Sequence, residues 1–124
     1  MAIQEDNILV IDDSNTNVVL VEAILNSKGF HTTSAMSVKE ALPIIDQKPP
    51  KLILLDLLMP QVSGYKFLED LKKDNRTKNI PVIIVSAVTG KESKKKTRNL
   101  GAIDYIEKPI DINVLIKKVE EILN

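Results

Sequence analysis

The apolar run Ile8-Leu9-Val10-Ile11 stops at Asp12-Asp13, and a second run, Leu52-Ile53-Leu54-Leu55, stops at Asp56. Carboxylates are hard oxygen donors, and several packed together repel one another unless a proton or a cation compensates. A divalent metal that prefers oxygen ligands is the natural remedy, Mg²⁺ first, with Mn²⁺ able to substitute. Two further strand-like runs end in groups of other chemistry. Pro81-Val82-Ile83-Ile84-Val85 ends at Ser86-Ala87, and Ile103-Asp104-Tyr105-Ile106-Glu107 runs into Lys108-Pro109. A hydroxyl and a lysine beside carboxylates suit a phosphoryl group: the acids hold the cation while Lys108 and Ser86 reach the phosphoryl oxygens. One carboxylate can then be the nucleophile that accepts the group.

Those residues need a scaffold that delivers them to one place. Neither acid-terminated run alternates apolar with polar residues, so each reads as a short strand buried on both faces, as in a parallel sheet. The carboxyl ends of parallel strands line the crevice where open α/β sheets bind ligands. Strand and helix signals alternate five times along the chain, which predicts an α/β fold with a parallel sheet and helices on both faces. The first helix is expected from Ser14–Asn15 to Gly29, with Leu20, Val21, Ile24 and Leu25 toward the sheet. A threonine-rich second strand is expected near Phe30–Ser34. Ser37 and Glu40 form a capping box for the second helix, in which Pro43 is expected to introduce a kink. Phe67, Leu68 and Leu71 mark the inner face of the third helix. The fourth, within Gly90–Leu100, is almost wholly polar. The fifth starts at Asp111 as N-cap, with Ile112, Leu115, Val119 and Ile122 on one stripe.

The segments Ile11-Asp12-Asp13, Asp56-Leu57-Leu58-Met59-Pro60 with Gly64, Ser86-Ala87, and Tyr105 with Lys108-Pro109 span the whole chain. In this order and spacing they resemble the receiver domains of two-component response regulators, chemotaxis-regulator-like, which share a flavodoxin-like (βα)₅ fold. The resemblance implies strand order 2-1-3-4-5 and Asp56 as phosphoacceptor. Asp13 would ligate the metal directly, and Asp12 directly or through a water, with Asp56 and the backbone carbonyl of Leu58 completing the protein ligands. Lys108, the Ser86 hydroxyl and the Ala87 backbone N–H would hold phosphoryl oxygens, and Lys108 would pair with Asp56 beforehand. The Lys108–Pro109 bond would be cis, and Tyr105 would be the switch aromatic that moves inward as Ser86 shifts. A histidine kinase or histidine phosphotransfer protein would be the donor. A downstream protein would read the face of the fourth helix, fifth strand and fifth helix. Family use of the first helix for donor docking points to Val18 on its flank and to Val19, almost opposite the core stripe at about 100° per residue. The expected role is regulatory: a phosphoacceptor that assists its own phosphotransfer and dephosphorylation, not an enzyme acting on another substrate.

The bulk properties agree. At 124 residues with no cysteine and equal acids and bases, the chain fits one domain, 1–124, without a disulfide framework or thiolate zinc site. Balanced charge gives no general pull toward nucleic acid or membrane, and neither is expected as a partner. The start lacks a signal-peptide pattern and no apolar run spans a bilayer, so a cytoplasmic receiver without an attached output domain is expected. Lys91, Lys94, Lys95, Lys96 and Arg98 read as a solvated helix face in preference to an acidic-partner or nucleic-acid surface. His31 has no ligand partner at metal spacing. A flavodoxin-type carrier would need a hydroxyl- and glycine-rich phosphate loop where Asp12-Asp13-Ser14-Asn15 stands. An aspartyl-phosphate phosphatase would need a second acid near Asp56 and a cap domain. A nucleotide switch would need a glycine-rich lysine loop. A phosphorylation-independent adaptor of the same fold is the remaining alternative.

Overall fold

A computed structural model describes residues 7–59 and 62–124. The first six residues, for which no signal peptide is expected, and Pro60 of the Asp56 motif lie outside the described residues. Strands and helices alternate as β1 (Asn7–Ile11), α1 (Asn15–Ser27), β2 (His31–Ala35), α2 (Val38–Gln47), β3 (Leu52–Leu55), α3 (Gly64–Lys73), β4 (Val82–Ser86), α4 (Lys91–Asn99), β5 (Asp104–Glu107) and α5 (Ile112–Leu123). The sheet is parallel throughout, in the order β2-β1-β3-β4-β5. This is the flavodoxin-like arrangement expected, and it seats β1 beside β3.

The central strands are apolar on both faces because both are covered. Leu9, Ile11, Ile53, Leu55 and Ile84 pack with Ala41, Ile45, Phe67, Leu68 and Leu71 from α2 and α3. Ile8, Val10, Leu52, Leu54 and Ile83 pack with Val21, Leu25, Leu115 and Val119 from α1 and α5 on the other face. Side-chain alternation alone therefore cannot set the strand register. The aspartates limit it: a one-residue slip would draw Asp12 or Asp56 into the apolar layer, and burying an unpaired carboxylate is costly enough to forbid that. Sheet hydrogen bonds continue past the strands to the acids, from Asp12 N to Ala35 O at 3.1 Å and from Asp56 N to Ile11 O at 3.0 Å.

Local signals end the helices where they stand. Ser14, Ser37, Ser63 and Asp111 cap α1, α2, α3 and α5 through their side chains. Gly29, at φ +90° just past α1, takes the left-handed turn that an L side chain resists. The Ser37–Glu40 pair forms, with Glu40 reaching back to the N–H of Met36 at 2.8 Å. Pro43 lies inside α2 on its exposed side.

Two helix stripes differ from expectation. In α1 the buried set is Val18, Val21, Ile24 and Leu25, whereas Leu20 is 41% exposed. Val18 stands two turns before Leu25 and shares its azimuth; Leu20, five residues before Leu25, is rotated about 140° from it. Val18 is thus a core residue, 3% exposed, and not the flanking docking residue expected. In α5, Leu115 and Val119 are buried and Ile122 is half-buried, but Ile112 is 51% exposed. Periodicity gave Ile112 the right azimuth without telling how far along the axis burial begins. Among the described residues, no helix is long and apolar enough to cross a membrane.

Candidate functional site

Because Ile11 pairs with Leu55 across β1 and β3, the residues that follow, Asp12 and Asp56, emerge side by side. Carboxylate oxygens of Asp12, Asp13 and Asp56 lie within 4.8 Å of one another. Asp12 and Asp56 are buried, at 5% and 4% exposure, while Asp13 faces solvent. Each buried acid uses one oxygen in a local turn. Asp12 Oδ1 accepts from Ser14 N at 2.9 Å, and Asp56 Oδ1 accepts from Leu58 N at 3.2 Å. The other oxygens accept from Lys108, whose Nζ is 2.8 Å from Asp12 Oδ2 and 3.3 Å from Asp56 Oδ2. Lys108 therefore bridges both acids, and Asp12 is the nearer partner.

Lys108 reaches the crevice because its backbone extends the sheet, donating to Ser86 O at 2.9 Å, and the Lys108–Pro109 peptide is cis. Ser86 is fully buried, and its hydroxyl oxygen accepts from Val88 N at 3.2 Å. Ala87 is exposed, as is the Leu58 side chain. Tyr105 is half-buried on β5, and its hydroxyl donates to the carbonyl of Val88 and lies 3.0 Å from Ser93 Oγ. His31 is exposed on β2.

Two residues that sequence reasoning did not single out join this network. Tyr65 of α3 places its hydroxyl 2.8 Å from Ser93 Oγ, so Tyr65, Ser93 and Tyr105 form a hydroxyl chain that ties α4 to α3 and β5. Ser93 and Thr97 are the buried residues of α4. Their i, i+4 spacing in a run of lysines was the available signal: the small polar pair is the inward face, satisfied by hydroxyls and by the helix's own carbonyls.

The electrostatics are those of a crowded acid pair with one shared cation. Burial pushes the Asp56 carboxyl above its ordinary range and the Asp12 charge adds to this; the Leu58 N–H and Lys108 oppose it. Burial disfavours the charge on Lys108, but its hydrogen bond to Asp12 and the fields of Asp56 and Asp12 outweigh that and raise it. With its folded value raised, Asp56 binds a proton more tightly in the folded state than in the unfolded chain. Its contribution to stability is present below the unfolded carboxylate range and is lost as pH rises through the raised value. Asp56→Asn is therefore expected to raise the melting temperature in metal-free buffer at pH 7, with the gain vanishing as pH falls below about 4. Melting curves over that range check this; a gain that persists undiminished into acid would show that Asp56 ionisation is not its source.

The three acids supply oxygen donors only, and among the described residues Lys108 alone pairs with them, a donor set that fits a hard divalent cation.

The fold and crevice agree with what the chain resembles. Residues 8–120 match the model of the response regulator receiver domain. Protein PilH of Pseudomonas aeruginosa is 33% identical over 116 residues, covering 94% of this chain and 96% of that protein. Response regulator PleD of Caulobacter vibrioides is 36% identical over 115 residues, which are 93% of this chain and 25% of that longer protein, so this chain spans about a quarter of PleD. Among solved structures, the receiver domain of the Francisella response regulator 1452 superposes with a TM-score of 0.88 at 34% identity, covering 95% of this chain and 96% of that one. The match begins inside β1, ends inside α5, and takes in every element that shapes the crevice. The chain accordingly belongs to the response regulator receiver domains of two-component signalling.

Proposed function

We propose that the chain is a receiver that accepts a phosphoryl group on Asp56 from a phosphohistidine of a histidine kinase or histidine phosphotransfer protein. The observation that carries this reading is the bridging of buried Asp12 and Asp56 by Lys108 beside a third, exposed acid. A carboxylate oxygen of Asp56 attacks phosphorus, the phosphorus–nitrogen bond breaks, and the electron pair leaves with the imidazole. The product is an acyl phosphate, so the protein's task is to position and to neutralise. Asp12, Asp13, Asp56 and the Leu58 carbonyl would hold Mg²⁺, or Mn²⁺ in its place. The cation would supply charge neutralisation as the phosphoryl group arrives. Lys108, the Ser86 hydroxyl and the Ala87 N–H take the phosphoryl oxygens.

The new dianionic group draws the Ser86 O–H toward itself and with it the oxygen that accepts from Val88 N–H, and so disturbs the loop whose Val88 carbonyl holds Tyr105. Tyr105 and Ser93 carry that change to α4, and a downstream protein reads it on the α4–β5–α5 face. The role is regulatory, with the site assisting its own phosphotransfer and dephosphorylation. Intact mass after incubation with acetyl phosphate and MgCl₂ tests this: one added phosphoryl group is expected, lost in Asp56→Asn. An unlabelled wild type sinks the reading in favour of an adaptor.

Donor docking belongs to α1. Val19 is 57% exposed, and Leu20, 41% exposed beside it, takes the surface place expected of Val18, which is in the core. Val19→Asp is expected to slow transfer from the partner kinase about tenfold or more, as loss of an apolar contact with an added charge does. Labelling by acetyl phosphate should be unchanged. Equal loss of both rates, or of neither, excludes Val19 from docking.

A further inference from the structure

The charges of this chain balance overall, yet α4 carries five cations and a single acid. Lys91 and Lys95, and Lys94 and Arg98, stand at like-charged i, i+4 positions that work against the helix. Among the described residues, only Lys94 of these five cations has a carboxylate within ion-pair reach, Glu107 at 3.2 Å. Lys96 lies over the Tyr65 ring, 4.2 Å from its centroid. Lys91, Lys95 and Arg98 remain uncompensated along one shallow groove on the outside of α4. Arg98 also borders a second depression, toward β5, whose wall includes Ile103, an isoleucine 51% exposed. Uncompensated cations thus sit next to an exposed apolar side chain on an inwardly anchored helix.

We propose that this face takes an acidic peptide segment of a partner protein, with carboxylates seated on Lys95 and Arg98 and an apolar side chain against Ile103. The proposal rests on the reading of the α4–β5–α5 face as the output surface and adds the chemistry of what binds there. Charge complementarity selects an anion. Ile103 selects a peptide over a nucleic acid or an anionic bilayer, because a phosphate backbone gains nothing from an isoleucine. A duplex would further need a wider basic field than one helix of a neutral chain supplies.

The test is selection of binders from a random dodecapeptide library on the full chain with acetyl phosphate and MgCl₂, followed by affinity measurement. Enriched peptides should be rich in Asp and Glu around an apolar residue. They should lose at least tenfold in affinity to Lys95→Glu/Arg98→Glu and weaken several-fold to Ile103→Ser, with acetyl-phosphate labelling unchanged in both variants. Enriched peptides without acids, or acidic ones indifferent to these substitutions, overturn the proposal. So does tighter binding of a twelve-base-pair duplex or of phosphatidylserine vesicles. Intact mass of the same samples separates the two readings. Labelled protein that binds no acidic peptide refutes the partner chemistry alone, and acidic-peptide binding by protein that never labels refutes the phosphoacceptor reading alone.

Discussion

Labelling of Asp56 by acetyl phosphate is expected to fall about a hundredfold in Asp13→Ala, and equally in the wild type with excess chelator. Asp12 and Asp56 already share Lys108, whereas Asp13 is exposed and makes no hydrogen bond or ion pair among the described residues. Its carboxylate is the one in the crevice with no competing partner. Removing it should leave the fold intact, with stability within about 0.5 kcal/mol of wild type as for an ordinary surface change. The loss is then chemical: without the third acid the cation would be held poorly, and the incoming phosphoryl oxygens would meet the remaining carboxylates with only Lys108 to offset the repulsion. Labelling that survives the chelator undiminished would remove the metal from the mechanism. A variant that melts well below wild type would give Asp13 a structural role instead.

Gly64→Ala is expected to destabilise the chain by about 2–3 kcal/mol and to depress Asp56 labelling with it. A Cβ on Gly64 would stand 2.5 Å from the Asp56 carbonyl oxygen and 2.6 Å from Leu57 Cα. Both are backbone atoms of the acid-bearing loop, which no side-chain rotation can move aside. Alanine is the better helix former by about 1 kcal/mol in a helix interior, and Gly64 opens α3, where that advantage is smaller. The clash therefore outweighs the propensity. The Gly64 N–H also donates to Leu57 O at 3.1 Å, so the displaced loop takes the carboxylate with it. Urea denaturation of the variant measures the first effect and intact mass the second. An alanine variant as stable as wild type would mean that the loop relaxes without strain.

Much of this protein was legible because its signals are local. Apolar runs ending in Asp12, Asp56 and Ser86, and a mixed strand running into Lys108, placed each group just past a strand, and a parallel sheet sends all such ends to one edge. Capping residues Ser14, Ser37 and Asp111 announced helix starts because the orphan N–H groups there need a side-chain acceptor. What depended on distance along or around an element was not legible. The Val18 and Leu20 assignments exchanged places because the stripe of α1 is set by which azimuth faces the sheet, and a short run rich in valine and leucine offers more than one. Ile112 lay on the right azimuth but outside the buried length of α5. Lys108 was assigned to Asp56, yet only the assembled crevice could show that Asp12 is the nearer acid. The Tyr65–Ser93–Tyr105 chain joins three elements remote in sequence, and no local spacing encodes such a meeting. Which groups stand at the mouth of the sheet follows from the order of residues, because strand ends are written there. Which of them touch depends on how the elements pack, because hydrogen bonds and ion pairs form only across packed neighbours.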